Sequence, residues 1–251
     1  MKKLTYLYEN GDHSWAVVAR DPERQGFLID TNEYLIASGE DALLVDPGGS
    51  EIFAAVFAAI AAETNPIRIK QLFASHQDPD IISSLALWLG FNPEIKCYLP
   101  WLWSGFIPHF GGQADTFVSL PDEGGIVPVG RLRLQAVPAH YLHSSGNLHL
   151  YDEKARIYFS GDVGAALLPP EQTDLFVTDF SRHIGHAETF HKRWMGSKAA
   201  VLDWCERVSR MDIDMLCPQH GAIYRGDDVM RFINWFAELE VGSGLRRSSG
   251  G

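Results

Sequence analysis

Cysteine is scarce in this chain, with three in 251 residues. Cys97, Cys205 and Cys217 are far apart and odd in number. They form no CxxC pair, which argues against both a zinc knuckle and a disulfide framework. Long hydrophobic runs are also missing. The most apolar stretch, residues 52–62 (IFAAVFAAIAA), falls well short of the roughly 20 residues a bilayer span needs and reads as a buried amphipathic helix. The start has two lysines but no apolar segment behind them, because Glu9, Asn10, Gly11 and Asp12 interrupt too soon for an export signal. A cytoplasmic protein without a membrane partner is therefore expected. Positive charge is in the minority, 21 Lys and Arg against 32 Asp and Glu, for a net charge of −11. That balance argues against a general nucleic-acid surface, since phosphate neutralisation needs clustered cations. The densest basic pair, Arg246 and Arg247, lies in a Ser/Gly tail at about 242–251 that reads as disordered.

What is present is a folding composition, 46% hydrophobic and 21% charged, which excludes wholesale disorder. Short apolar runs at 14–20, 26–30, 33–37 and 41–46, separated by Gly, Pro, Asn and Asp, read as strands of a meander. Ser50 offers an N-cap to a helix over 51–63. Strands are expected at 71–75 and 95–99, with a short helix at 82–89. The second half repeats this texture. Strands are expected at 131–137, 148–151, 156–160, 174–178 and 213–217, with helices at about 191–210 and 227–239. Residues 111–125 read as the loosest loop. Two sheet-rich halves, each closed by helices, predict an α/β fold: an αββα layered sandwich, with 1–251 as a single domain.

Histidine and aspartate collect just after the expected strand ends, where loops can converge. His76-Gln77-Asp78-Pro79-Asp80 follows the strand at 71–75 and puts three ligand-type side chains in five positions. Pro79 locks φ between the two carboxylates and favours a fixed loop. Read alone, the segment is equally an acidic turn that caps a helix. Two histidines, His140 and His143, lie in a Ser/Gly loop after the alternating strand, and Gly146 allows close backbone approach. Ser160-Gly161-Asp162 sets an aspartate among small residues, suited to bridging two cations or to a turn. His220-Gly221 again follows a strand.

In this order the motifs resemble the metallo-β-lactamase superfamily: an HxHxDH-type loop, a histidine in an HS-x-G loop, an aspartate in SGD and a late histidine before glycine. The 41–49 segment (DALLVDPGG) with Asp46 also resembles that superfamily's structural aspartate turn. The likeness runs from about residue 14 to 239. The departures matter. Asp78 stands where the zinc hydrolases carry histidine, and Ile81 where they carry another. A carboxylate in the middle position resembles the flavodiiron branch, with its HxExD loop and two irons. A carboxylate-rich donor set independently suits iron or manganese better than zinc. The resemblance implies that one iron takes His76, Asp78 and His143, a second takes Asp80 and His220, and Asp162 bridges them. Ile81 cannot ligate, so the second iron is expected to be ligand-poor, with His140, His149, His183 and His186 as candidates to fill or line the gap. Nothing in the 251 residues reads as an FMN phosphate loop. The chain thus resembles the flavin-free oxygen-binding di-iron proteins.

That resemblance implies a di-iron protein that binds, and in one version reduces, dioxygen or NO, for oxygen sensing or detoxification. A separate donor such as a rubredoxin-like protein and a homodimer are the implied partners. The alternative is a two-metal zinc or manganese hydrolase of the same fold, acting on a thioester, lactone or phosphoester. Asp78 and Ile81 speak against it.

Overall fold

The computed structural model describes residues 3–21 and 29–245. Two sheets lie face to face. In the first, β1 (Leu4–Asn10), β2 (His13–Val18), β3 (Glu33–Ser38) and β4 (Asp41–Val45) form an antiparallel meander. It continues through parallel β5 (Ile69–Phe73), β6 (Lys96–Pro100) and β7 (Phe117–Leu120). The second sheet runs β13-β12-β11-β10-β9-β8 in space. Its strands are β8 (Gly125–Val129), β9 (Leu132–Pro138), β10 (Leu148–Asp152), β11 (Ile157–Phe159), β12 (Met215–Cys217) and β13 (Tyr224–Arg225), with only β11 and β12 parallel. Helices α1 (Phe53–Glu63), α2 (Pro79–Ile82) and α3 (Leu85–Phe91) belong to the first half, and α4 (Phe180–Trp194), α5 (Lys198–Val208) and α6 (Asp227–Glu238) to the second. This is the αββα sandwich.

Strand periodicity builds its layers. Every residue of β3 is buried. Tyr34 and Ile36 point between the sheets with Trp15, Phe73, Leu150 and Phe159. Leu35 and Ala37 point the other way, into the core shared with Val56, Ile60, Leu85 and Trp88 of the helices. A third core, including Phe190, Trp204 and Phe236, lies under α4, α5 and α6. Alternate side chains of one strand thus serve two cores, which is why residues 34–37 are all hydrophobic while the polar Glu33 and Ser38 stand at the strand ends.

Several expectations need correction. The helix expected over 191–210 is two helices. Residues 195–197 interrupt it, and Ser197 caps α5 by accepting from Ala200 N at 3.2 Å. Ser50 caps nothing; α1 starts at Phe53, and Ser50 N instead donates to Ser83 Oγ at 3.0 Å. The helix over 82–89 is split between α2 and α3. The loose loop contains edge strand β7. Residues 174–178 make only a single bridge, Phe176 to Ile223. Of the strand expected at 26–30, residues 29 and 30 are irregular and 26–28 lie outside the described residues. In the expected tail, Gly242 N donates to Met195 O at 2.9 Å and Ser243 N to Lys192 O at 2.8 Å, which docks 242–245 on the end of α4. Residues 246–251 lie outside the described part. Among the described residues no helix is long and apolar enough to cross a membrane.

Candidate metal centre

Four strand ends deliver the expected residues to one place. His76 follows β5, His143 lies in the β9–β10 loop, Asp162 follows β11 and His220 follows β12. Local backbone conformation makes the sharp exits possible. Gly161 and Gly221 have φ of 50° and 89°, and a Cβ on Gly221 would lie 2.8 Å from Ala166 O, so that turn requires glycine. Asp78 stands at the N-cap of α2 but makes no capping hydrogen bond, so the capping reading of this acidic turn does not describe it. Its carboxylate turns toward the histidines instead.

The geometry divides into two half-sites that share Asp162. In the first, ligand atoms of His76, Asp78, His143 and Asp162 all lie within 4.8 Å of one another. His143 Nε2 is 2.9 Å from Asp162 Oδ2 and 3.1 Å from Asp78 Oδ2. His76 Nε2 is 3.5 Å and 3.6 Å from the same two oxygens. In the second, His220 Nε2 is 3.2 Å from Asp162 Oδ1 and 3.5 Å from Asp80 Oδ2. Asp162 therefore turns one oxygen to each half-site.

Whether a cation fits here can be judged from the polar atoms themselves. His76 Nε2, His143 Nε2 and Asp162 Oδ1 are buried and make no hydrogen bond despite their close neighbours. Buried polar atoms left this way are costly, and their convergence is what a cation satisfies. Donor separations of 2.9–3.6 Å also match ligands about 2.0–2.2 Å from one ion. Three imidazoles with three carboxylates form an oxygen-rich set that fits iron. Without a cation, the cluster pairs acid with base. Burial disfavours the charged form of His143, but Asp162 and Asp78 outweigh it and push its pKa up to about 9. Burial opposes the charge on His220 likewise, and Asp162 and Asp80 push it up to about 9. Asp162 is buried, which alone would raise its pKa, yet His143, His220 and His76 hold it well below the carboxylate range. At Asp80 burial is the largest influence and, with Asp162 and Asp78, outweighs His220 and His76, so its pKa is raised.

Neighbours fix the rings. Asp46, at φ 45°, accepts from Ser75 N at 2.8 Å and from Ser75 Oγ at 2.6 Å. Ser75 Oγ lies 2.8 Å from His76 Nδ1, so His76 donates there and its Nε2 lone pair faces the cluster. His220 Nδ1 donates to Asp30 O at 2.9 Å with the same effect. Asn32 Nδ2 donates to Gly221 O at 2.9 Å and Pro218 O at 3.2 Å, which clamps the His220 loop. His191 of α4 donates from Nδ1 to Ala187 O and accepts from Gly164 N at 3.0 Å on Nε2, two residues from Asp162.

The remaining histidine candidates lie elsewhere. His140 Nε2 bonds Asp122 O, His149 is buried against Tyr158 and Trp204, His183 packs on Tyr224, and His186 contacts Gln172. The cavity over the site is walled instead by Ile29, Glu51, Pro79, Phe190 and Trp194 together with the predicted ligands other than His76. No local pattern marks Phe190, Trp194 or His191, because a helix residue comes to face a distant loop only through packing. Ile81 is fully buried in the core beneath α1 and α3.

The family profile described as ODP family beta lactamase matches residues 29–221. A structure described as a peroxy di-iron species of the chemotaxis sensor ODP is 37% identical, with 96% of this chain and 97% of that one covered at a TM-score of 0.85. The apo state of the chemotaxis sensor ODP from T. denticola is also 37% identical, with 96% of both chains covered and a TM-score of 0.87. A mutant flavo di-iron protein from Thermotoga maritima is 23% identical at a TM-score of 0.80, a likeness of fold. The match covers 94% of this chain but 61% of that one. None of the curated proteins matches the chain.

Proposed function

The chain belongs to the ODP family of β-lactamase-fold proteins, and on that premise we propose that it binds dioxygen at a pair of irons and serves as an oxygen sensor. His76, Asp78 and His143 hold one iron, Asp80 and His220 hold the other, and Asp162 bridges them. The observation that carries this reading is the split of Asp162, whose Oδ2 faces His76 and His143 while Oδ1 faces His220. One carboxylate shared in this way is the smallest device that fixes two cations at a set separation. When bound, the ferrous pair supplies one electron per ion to dioxygen.

The chain's own residues do the rest. Asp78, Asp80 and Asp162 offset the positive charge of the ions, and the ions in turn suppress the repulsion among the three carboxylates. Ile81 is buried in the core and supplies no donor beside Asp80, so the second iron would take its protein ligands from Asp80, His220 and Asp162. Ile29, Phe190 and Trp194 make the cavity wall partly apolar, which would suit a small uncharged ligand. The same reading takes 1–251 as one unit, a separate rubredoxin-like protein as electron donor, NO as a competing ligand and a homodimer as the working form; sedimentation tests the last.

The test is metal analysis of protein made in iron-replete cells, with optical spectra of the reduced form before and after air. About two irons per chain and a new visible band in air are expected. Zinc alone, or brisk turnover of thioesters, lactones or phosphoesters by zinc- or manganese-loaded protein, would overturn the reading in favour of a hydrolase.

A further inference from the structure

Between ligands His76 and Asp78 stands Gln77, a half-buried side chain that the proposed function leaves unused. Its Nε2 donates to Asp78 Oδ1 at 2.8 Å. Its Oε1 accepts from Ser144 Oγ at 2.7 Å. Ser144 directly follows His143, and its hydroxyl also lies 3.1 Å from Gly146 O. One side-chain amide thus joins the loop after β5, from the first sheet, to the loop after β9, from the second. The two oxygens of Asp78 are distinguished as a result. Oδ1 is taken by Gln77, while Oδ2 is the atom 3.1 Å from His143 Nε2 and 3.6 Å from His76 Nε2.

From this arrangement we infer that Gln77 is a positioning residue that restricts Asp78 to one ligating oxygen and locks its loop to that of His143. An aspartate carboxylate turns about a broad, roughly two-fold torsion. Unrestrained, it would offer either oxygen or both, and a chelating aspartate would occupy a position that the restrained one leaves free. The amide removes that freedom because its N–H can satisfy only an oxygen, and its own oxygen is fixed by Ser144. Partners of this kind, one shell beyond the ligand, commonly change metal affinity by about 10–100-fold. The inference rests on the first half-site being a metal site and is independent of dioxygen.

Cobalt(II) titration of the metal-free full chain tests it, read by the visible ligand-field bands. Thermal melting of the metal-free protein is recorded alongside. Gln77→Met keeps the length but loses both polar ends. It is expected to weaken the first half-site about tenfold or more and to shift its band, with the metal-free melting curve unchanged. Gln77→Glu keeps an acceptor for Ser144 but sets an oxygen against Asp78 Oδ1, and weakens cobalt at least as much. Ser144→Ala moves affinity the same way by less. Wild-type affinity and an unshifted band in Gln77→Met would overturn the inference, as would loss of melting temperature in step with loss of metal at both half-sites. Iron-loaded wild-type protein that shows no optical change in air would instead overturn the dioxygen reading and leave this one standing.

Discussion

The two half-sites share a carboxylate but differ in support. The first has two imidazoles and Asp78, and both ligand-type residues of its β5 loop are held from behind, His76 by the Ser75–Asp46 relay and Asp78 by Gln77. The second has one imidazole and Asp80, beside an Ile81 that is committed to the core. Electrostatics repeats the contrast. Asp78, between two histidines, is held far below the usual carboxylate range, although burial acts to raise it. Burial dominates at Asp80, whose pKa is raised. A strong half-site beside a weak one suits a centre that keeps its metals while exchanging a small ligand.

The largest test of this contrast removes what the halves share. Asp162→Ala should lose both metals, because it deletes a donor from each half and leaves the remaining histidines without their common partner; metal analysis of the purified variant checks it. Retention of full metal would break the assignment. Next in size, His220→Ala should empty the second half-site and spare the first, giving about one metal per chain. Loss of both metals would show that the first half does not stand alone.

A smaller effect concerns the α4 support of Asp162. His191 is buried and neutral, and burial depresses its pKa from 6.5 to about 4. The sign follows from linkage. Above pH 6.5 the ring is neutral folded and unfolded, so it brings no penalty. As pH falls, the unfolded chain takes up the proton first, and stability is lost until about pH 4, by roughly 3 kcal/mol in full and about 2 kcal/mol between pH 6.5 and 5. Urea unfolding of metal-free protein should show this slope in the wild type and a shallower one in His191→Gln. Equal slopes would remove His191 from the account.

Local pattern placed the six ligand-type residues after expected strand ends, among Gly, Ser or Pro, but left each cluster open as a turn or cap; their selection as one set came from the resemblance in motif order. The layer order was legible because runs such as 34–37 are hydrophobic at every position, as strands buried on both faces tend to be. The break at 195–197 was not, since Gly196 alone is a weak signal inside a helical pattern and the decisive cap at Ser197 is common elsewhere. Edge strand β7 was hidden among Gly, Pro and polar residues that also suit loops. Gln77, Asn32 and His191 were out of reach for a different reason. Each acts on a residue distant in sequence or through a side-chain torsion, so only the packed chain reveals it.

The smallest effects should be the most informative, because they separate the halves without removing a ligand. Ser75→Ala cuts the relay behind His76 and leaves a carboxyl oxygen of Asp46 unpaired in a fully buried place. Asp46 already has its pKa pushed up to about 7 by burial, against the opposing pull of His76 and Ser75. Without Ser75 it is expected to stay protonated, and the His76 ring loses its orienting acceptor. Asn32→Ala does the corresponding thing on the other side, removing the amide that holds Gly221 O and leaving Pro218 O to Tyr34 Oη alone. Each change should weaken metal about tenfold at its own half-site only. Mössbauer spectra of iron-loaded protein resolve which iron is affected. If both variants weaken the same iron, the division at Asp162 is not an energetic one, and the two halves behave as a single cage.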